Sequence, residues 1–238
     1  MQFDLWLNTR LRAHGAYDGV VDNVHGRATI AALKRFQKAD GLTPSGMADE
    51  ATVNALRLDP QGRAFHVLPA PRTPEEPVWM REARRLMGVK EIPGSASNPT
   101  IIGWARRLGG WVADFYRNDD TPWCGLFLAH CISMTLPEEK LPANPLGALE
   151  WNKFGIPLAT PVLGAILVFK RPGGGHVGHY AGEDGDFYCV LGANQSNTVK
   201  LSMIEKERCV GIRWPKTAPA PIGGRLRANA GGVSRNEA

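Results

Sequence analysis

One stretch constrains this chain more than any other: residues 59–77, DPQGRAFHVLPAPRTPEEP, hold five prolines. Each proline fixes its own φ and lacks a backbone donor, so neither a helix interior nor a central strand can run through the segment. It reads as a semi-rigid linker. The 238 residues are thereby cut into a small module, 1–58, and a central block, 78–216. Residues 217–238 are rich in Ala, Gly and Pro and carry Arg225, Arg227 and Arg235 against Glu237, which predicts a flexible, weakly basic tail. A hydrophobic fraction of 43% against 21% charged residues is a globular balance. Apolar runs such as 164–169 fall far short of the ~20 residues of a membrane helix. The four cysteines form no CxxC pair and do not suggest a disulfide scaffold. Whether Cys189 and Cys209 pair in an oxidising compartment is left open by the sequence. The net charge of +5 suits an anionic partner: a cell wall, a lipid surface or nucleic acid. Scattered basic residues, gathered on no motif, argue against nucleic acid. No basic-then-apolar leader is visible at the start, so synthesis in the cytoplasm is expected.

The small module reads as three helices. Phe3, Trp6, Leu7 and Leu11 recur at helical spacing, as do Ile30, Leu33 and Phe36, then Val53 and Leu56. Gly41 stands where a left-handed cap is expected, and Pro44-Ser45-Gly46 makes a turn. A polar loop, Gly15 to Asp22, joins the first two helices. The run YDGVVD, with FQ, GL, G and D at their following spacings, resembles the type 1 peptidoglycan-binding domain over nearly all of residues 1–58. That resemblance implies a three-helix wall-anchoring module with peptidoglycan as its partner, and Tyr17, Asp18 and Asp22 are the candidates for lining its site.

The central block begins with helices and ends with strands. Trp79, Ala83 and Leu86 share a helical face that stops at Gly88. Asn98-Pro99, Thr121-Pro122 and Asn144-Pro145 each offer a capping side chain followed by proline at the first helical position. Strands are expected over 164–170, 176–182, 187–193, 198–204 and 209–214. Helices first and an antiparallel sheet second predict an α+β fold.

Within DDTPWCGLFLAHC, residues 119–131, a cap at Thr121 puts Cys124 in the first turn of a helix. Free backbone N–H groups and the helix dipole favour an anion there, which predicts a lowered thiol pKa and an oxyanion site. Cys131, in mid-helix, reads as a packed residue, and the same packing is the competing reading for Cys124. His176 follows three glycines and opens the strand HVGHYA, which makes it the candidate base. Side chains alternate on a strand, so His176 and His179 face opposite ways and do not share a metal. The end of the following strand returns toward His176, bringing Asn194 near it as an orienting acceptor, with Asn197 as the alternative.

In chain order, GVKEIPGSASNP, TPWCGLFLAHC, GAILVFKR, GGHVGHY and LGANQSN resemble the papain-like cell-wall cysteine hydrolases of the NlpC and CHAP type, across almost all of 78–215. The resemblance implies a papain-like domain with Cys124 as nucleophile, His176 as base and then acid, and Asn194 as orienting residue. No metal or organic cofactor is implied. Two positions depart from the pattern: His179 stands where an aromatic is common, and Ala193 where a glycine is usual. Trp123, Asp119, Asp120 and Glu91 are expected to line the cleft. The expected function is an endolysin-like peptidoglycan hydrolase, an amidase or endopeptidase, monomeric, reaching the wall after holin-type release. Its basic tail would meet anionic lipid or wall polymers. The alternatives are a secreted antibacterial effector of the same chemistry, a zinc amidase for which no ligand set is visible, or a non-catalytic wall-binding or virion protein.

Overall fold

The computed structural model describes residues 2–60, 76–221, 224–226 and 228. It divides into two compact units, Met1–Glu75 and Glu76–Ala238. The bulk of the proline-rich segment, 61–75, and the basic residues Arg227 and Arg235 lie outside the described residues.

The first unit has the three expected helices: α1 (Phe3–Ala13), α2 (Arg27–Ala39) and α3 (Glu50–Leu56). Phe3, Trp6, Leu7 and Leu11 of α1 meet Leu33 and Phe36 of α2 and Val53 and Leu56 of α3 in one core. Leu7, Leu11, Leu33 and Leu56 are fully buried, each worth about 1.5–3 kcal/mol of transfer free energy. Gly41 ends α2 at φ 72°, as expected for a left-handed cap. The Asp49 carboxylate accepts the Thr52 N–H at 2.8 Å and starts α3. Polar groups in this core are matched. Asn8 donates to the Asp22 and Val24 carbonyls and accepts from Thr29. Gln37, fully buried, donates to Ser45, Met47 and Thr52 and accepts the Gly46 N–H.

The second unit is α+β. Its helices are α4 (Val78–Arg85), α5 (Pro99–Leu108), α6 (Gly110–Phe115) and α7 (Cys124–Thr135), followed by a 3-10 turn, Ala148–Lys153. The strands are β1 (Ile156–Pro157), β2 (Ile166–Arg171), β3 (Gly174–Asp184), β4 (Phe187–Gly192), β5 (Lys200–Glu205) and β6 (Cys209–Trp214), in the order β1-β6-β2-β3-β4-β5. Every neighbouring pair is antiparallel. The five expected strands are present within a few residues; the two-residue β1 carries too little pattern to be read in advance. Residues 124–132 of α7 are all buried, so this helix is the apolar centre of the unit. Gly125 lets α7 press onto the chain at Pro145 and Leu146, whose carbonyls would collide with any Cβ.

Of three capping expectations, one holds and two change. Asn98 caps α5 with Pro99 behind it, as read, accepting the Thr100 N–H at 2.9 Å. Thr121, however, caps nothing. Its hydroxyl donates to Asn118 and its carbonyl accepts from the Tyr116 hydroxyl, so α7 starts two residues after Pro122, with Trp123 as an N-cap that makes no side-chain bond. Asn144 closes a turn onto the Leu146 and Gly147 N–H groups, and the 3-10 helix follows.

The chain after 216 is also tied down where it is described. Thr217 donates through both its N–H and its hydroxyl to Glu139, at 2.6 and 2.7 Å. Glu183 pairs with Leu226 and Ala228 through backbone bonds of 2.7 and 2.9 Å. The physical reason is that β3 outruns β2: the β2 ladder stops at His179, leaving the last residues of β3 with an open edge to fill. All four cysteines are free. Two strands separate β4, with Cys189, from β6, with Cys209, roughly 14 Å at ~4.8 Å per strand and too far for a bridge.

Candidate functional site

Cys124 is the first residue of α7 and is 5% exposed. Burial pushes its thiol pKa up; the backbone N–H groups of Val177 and Gly125, and Arg171, pull the other way without overcoming that rise. This corrects the expectation of a lowered pKa: the positive helix end is present, and the cost of an anion away from water is larger.

His176 stands at the third position of β3, opposite Phe169 of β2, with their rings 6.4 Å apart. Val177, whose N–H lowers the Cys124 thiol pKa, is the next residue of that strand. No hydrogen bond joins the side chains of Cys124 and His176. The β3–β4 ladder sets Leu191 opposite His179, so the end of β4 returns to the start of β3 as the hairpin reading requires. Gly192 is the meeting point, since a Cβ there would lie 3.2 Å from His176 Nε2 and 3.2 Å from the Gln195 amide carbon. Gln195 is fully buried, and its amide nitrogen donates to the Gly192 carbonyl at 3.0 Å and to that of Lys200. Those bonds fix the amide beside the imidazole. His176 Nε2 and Gln195 Oε1 are both buried without a completed hydrogen bond.

Burial, then the positive charge of Arg171, drive the His176 pKa down to about 3, with Gln195 opposing and Arg208 adding to the fall. Thiol and imidazole are thus both neutral in the resting arrangement. Asn194 is buried at φ 56°, with Oδ1 unpartnered. Asn197 is exposed, and its carbonyl accepts the Glu91 N–H at 3.0 Å, so the fallback position faces solvent. Sequence reasoning passed over Gln195. The available signal was a glutamine in an otherwise Asn-rich turn, able to anchor its nitrogen while presenting its oxygen.

The remaining cleft candidates separate. Trp123 is fully buried beside Trp104, its Nε1 donating to Glu91 Oε1 at 2.5 Å, so it packs beneath the site and does not line it. Glu91 is half-buried; desolvation raises its pKa, with the Trp123 bond opposing and Asp119 and Asp120 reinforcing. Asp119 is buried and accepts the Ile92 and Asn98 N–H groups at 3.1 and 2.8 Å, a loop-building role, while Asp120 is exposed. His179, on the opposite face of β3, is fully buried against Phe127 of α7 and contributes nothing to the cluster around His176.

In the first unit Tyr17 belongs to the core, its hydroxyl donating to the Val20 carbonyl at 2.7 Å. It serves the fold of the loop and does not line a binding surface. Asp18 is exposed and pairs with Arg35 at 3.3 Å. Asp22 accepts the Val24 N–H at 3.1 Å, an Asx turn. No helix among the described residues is long and apolar enough to cross a membrane. Comparison with curated proteins and with solved structures finds no match. Residues 5–56, nearly the whole three-helix core, match the family model described as "Putative peptidoglycan binding domain", and this match gives the first unit its association with the cell wall.

Proposed function

We propose that the second unit is a papain-like cysteine hydrolase that cleaves an amide bond of the peptidoglycan held by the first. One arrangement supports the reading: Cys124 opens α7 and its thiol pKa is lowered by the Val177 N–H of β3, while His176, one residue earlier on β3, has its Nε2 at Gly192 beside the buried Gln195 amide. His176 takes the thiol proton as the sulfur attacks the amide carbonyl. On this reading the free N–H groups at the start of α7 receive the developing oxyanion. The imidazolium then protonates the leaving amine, and water, deprotonated by His176, hydrolyses the thioester. Because the resting pair is neutral, proton transfer accompanies the attack and does not precede it. Asn194 or Gln195 orients the ring. An endolysin and an antibacterial effector would use this same chemistry.

The test is mass spectrometry of muropeptides after digestion of purified walls. Wild-type protein is expected to release fragments cut at one amide bond, in the presence of EDTA as in its absence. Cys124→Ala should release none while keeping its circular dichroism spectrum; undiminished release by that variant would remove the nucleophile. The burial of Cys124 and His176, at 5% and 1% exposure, favours a second reading, wall binding without catalysis. Iodoacetamide separates the two: selective alkylation of Cys124 in the folded protein supports catalysis, and complete protection supports packing.

A further inference from the structure

The β2–β3 turn borders a groove of about 560 Å³, lined by Lys170, Arg171, Pro172, Gly173, Glu207 and Arg208 together with Val210. Three cations face one carboxylate there. Arg208 is held by Glu205 at 3.1 Å and reaches the Lys170 carbonyl at 3.5 Å, which leaves it fixed in the wall. Arg171 is held differently. It is half-buried, makes no ion pair among the described residues, and its Nε is buried with no hydrogen-bond partner. A guanidinium in that state has donors to spare for a planar anion.

The groove includes a strand neighbour of His176. On β2, Phe169 and Arg171 project to one face, and in the antiparallel register Phe169 opposes His176 while Arg171 opposes Gly174. Arg171 is therefore the diagonal neighbour of His176 on the same face. Gly174 leaves the space opposite Arg171 open, with nothing within 4 Å of where a side chain would begin.

We propose that this groove is the subsite for a carboxylate of the peptide whose amide bond reaches Cys124, with Arg171 as its principal donor. The inference rests on the hydrolase reading and deepens it by naming the substrate class: an acidic peptide with its carboxylates free.

The experiment compares a synthetic stem peptide with free carboxylates and the same peptide with every carboxylate converted to carboxamide. Binding is measured by calorimetry to full-length Cys124→Ala, which needs no turnover. The free form is expected to bind at least tenfold more tightly. Adding Arg171→Gln should erase that difference, and Arg171→Lys should restore part of it. Equal binding of the two peptides, or a preference unchanged by Arg171→Gln in protein of unaltered thermal midpoint, overturns the subsite. Should Arg171→Gln fail to fold, Lys170→Gln and the salt dependence of the wild-type preference decide instead: a preference insensitive to both overturns it. Loss of the hydrolase reading would look different, as unchanged muropeptide release by Cys124→Ala alone.

Discussion

Two clusters of buried polar groups, one in each unit, are satisfied to different degrees. In the first, Gln37 makes four hydrogen bonds and Asn8 three, and together they pin the turns at Gly46 and Val24 to the helices. In the second, His176 Nε2, Asn194 Oδ1, Gln195 Oε1 and Arg171 Nε are buried around one end of β3 with no completed partner. An unmade bond in the interior costs about 1–3 kcal/mol, so a chain keeps such groups together chiefly where something else will use them. Polar groups that build a fold are spent on it. Those held for a reaction or a ligand are left with capacity.

Substitutions test that contrast. The largest effect is expected at His176→Ala, which should lower the rate of wall hydrolysis by about a thousandfold, the loss of a general base, with little change in thermal midpoint. A stability loss comparable to the activity loss would instead make His176 a structural residue. Gln37→Leu should do the reverse in the first unit. It strands the Gly46 N–H and the Thr52 hydroxyl and should cost about 3 kcal/mol in denaturant unfolding, leaving the thiol chemistry of the second unit untouched.

His179→Phe is expected to stabilise the second unit by about 1–2 kcal/mol, because both ring nitrogens are buried without a completed hydrogen bond. The same variant should change the pH dependence. Burial drives His176 and His179 each to about 3, with Gly164 only partly offsetting the fall at His179, below the ~6.5 of an unfolded histidine. The unfolded chain thus binds more protons between those values. The stability that these two neutral rings contribute is complete above pH 6.5 and is lost as pH falls toward 3. Thermal melts from pH 7 to pH 4 should show a shallower decline in His179→Phe than in wild type; parallel declines would remove His179 as a contributor. The smallest effect is expected at Asp18→Ala, an exposed ion pair worth no more than about 0.5 kcal/mol, read as a nearly unchanged unfolding midpoint.

Much of the architecture was legible residue by residue. Helical spacing at Phe3, Leu7 and Leu11 marked α1, Asn98-Pro99 marked the start of α5, and alternation with polar turns marked five of the six strands. Thr121 misled because a threonine before a proline satisfies the local rule for a cap, while its hydroxyl was claimed by Asn118 and its carbonyl by Tyr116. Tyr17 misled in a similar way: a tyrosine in a polar loop reads as a binding residue until the loop folds its ring into the core. At the candidate site, the strand pattern predicted Asn194 near His176, and nothing local distinguished its neighbour Gln195, whose amide is clamped beside the ring.

The order of elements and the division near the prolines were determined by the sequence alone, because spacing and turn chemistry act over a few residues and antiparallel pairing then returns the chain on itself. The charge states were decided only by the tertiary structure. A helix end favours a thiolate locally, but how much water remains around Cys124 and His176 depends on α7, β3 and the Gln195 turn closing together, and that shared burial holds both groups neutral.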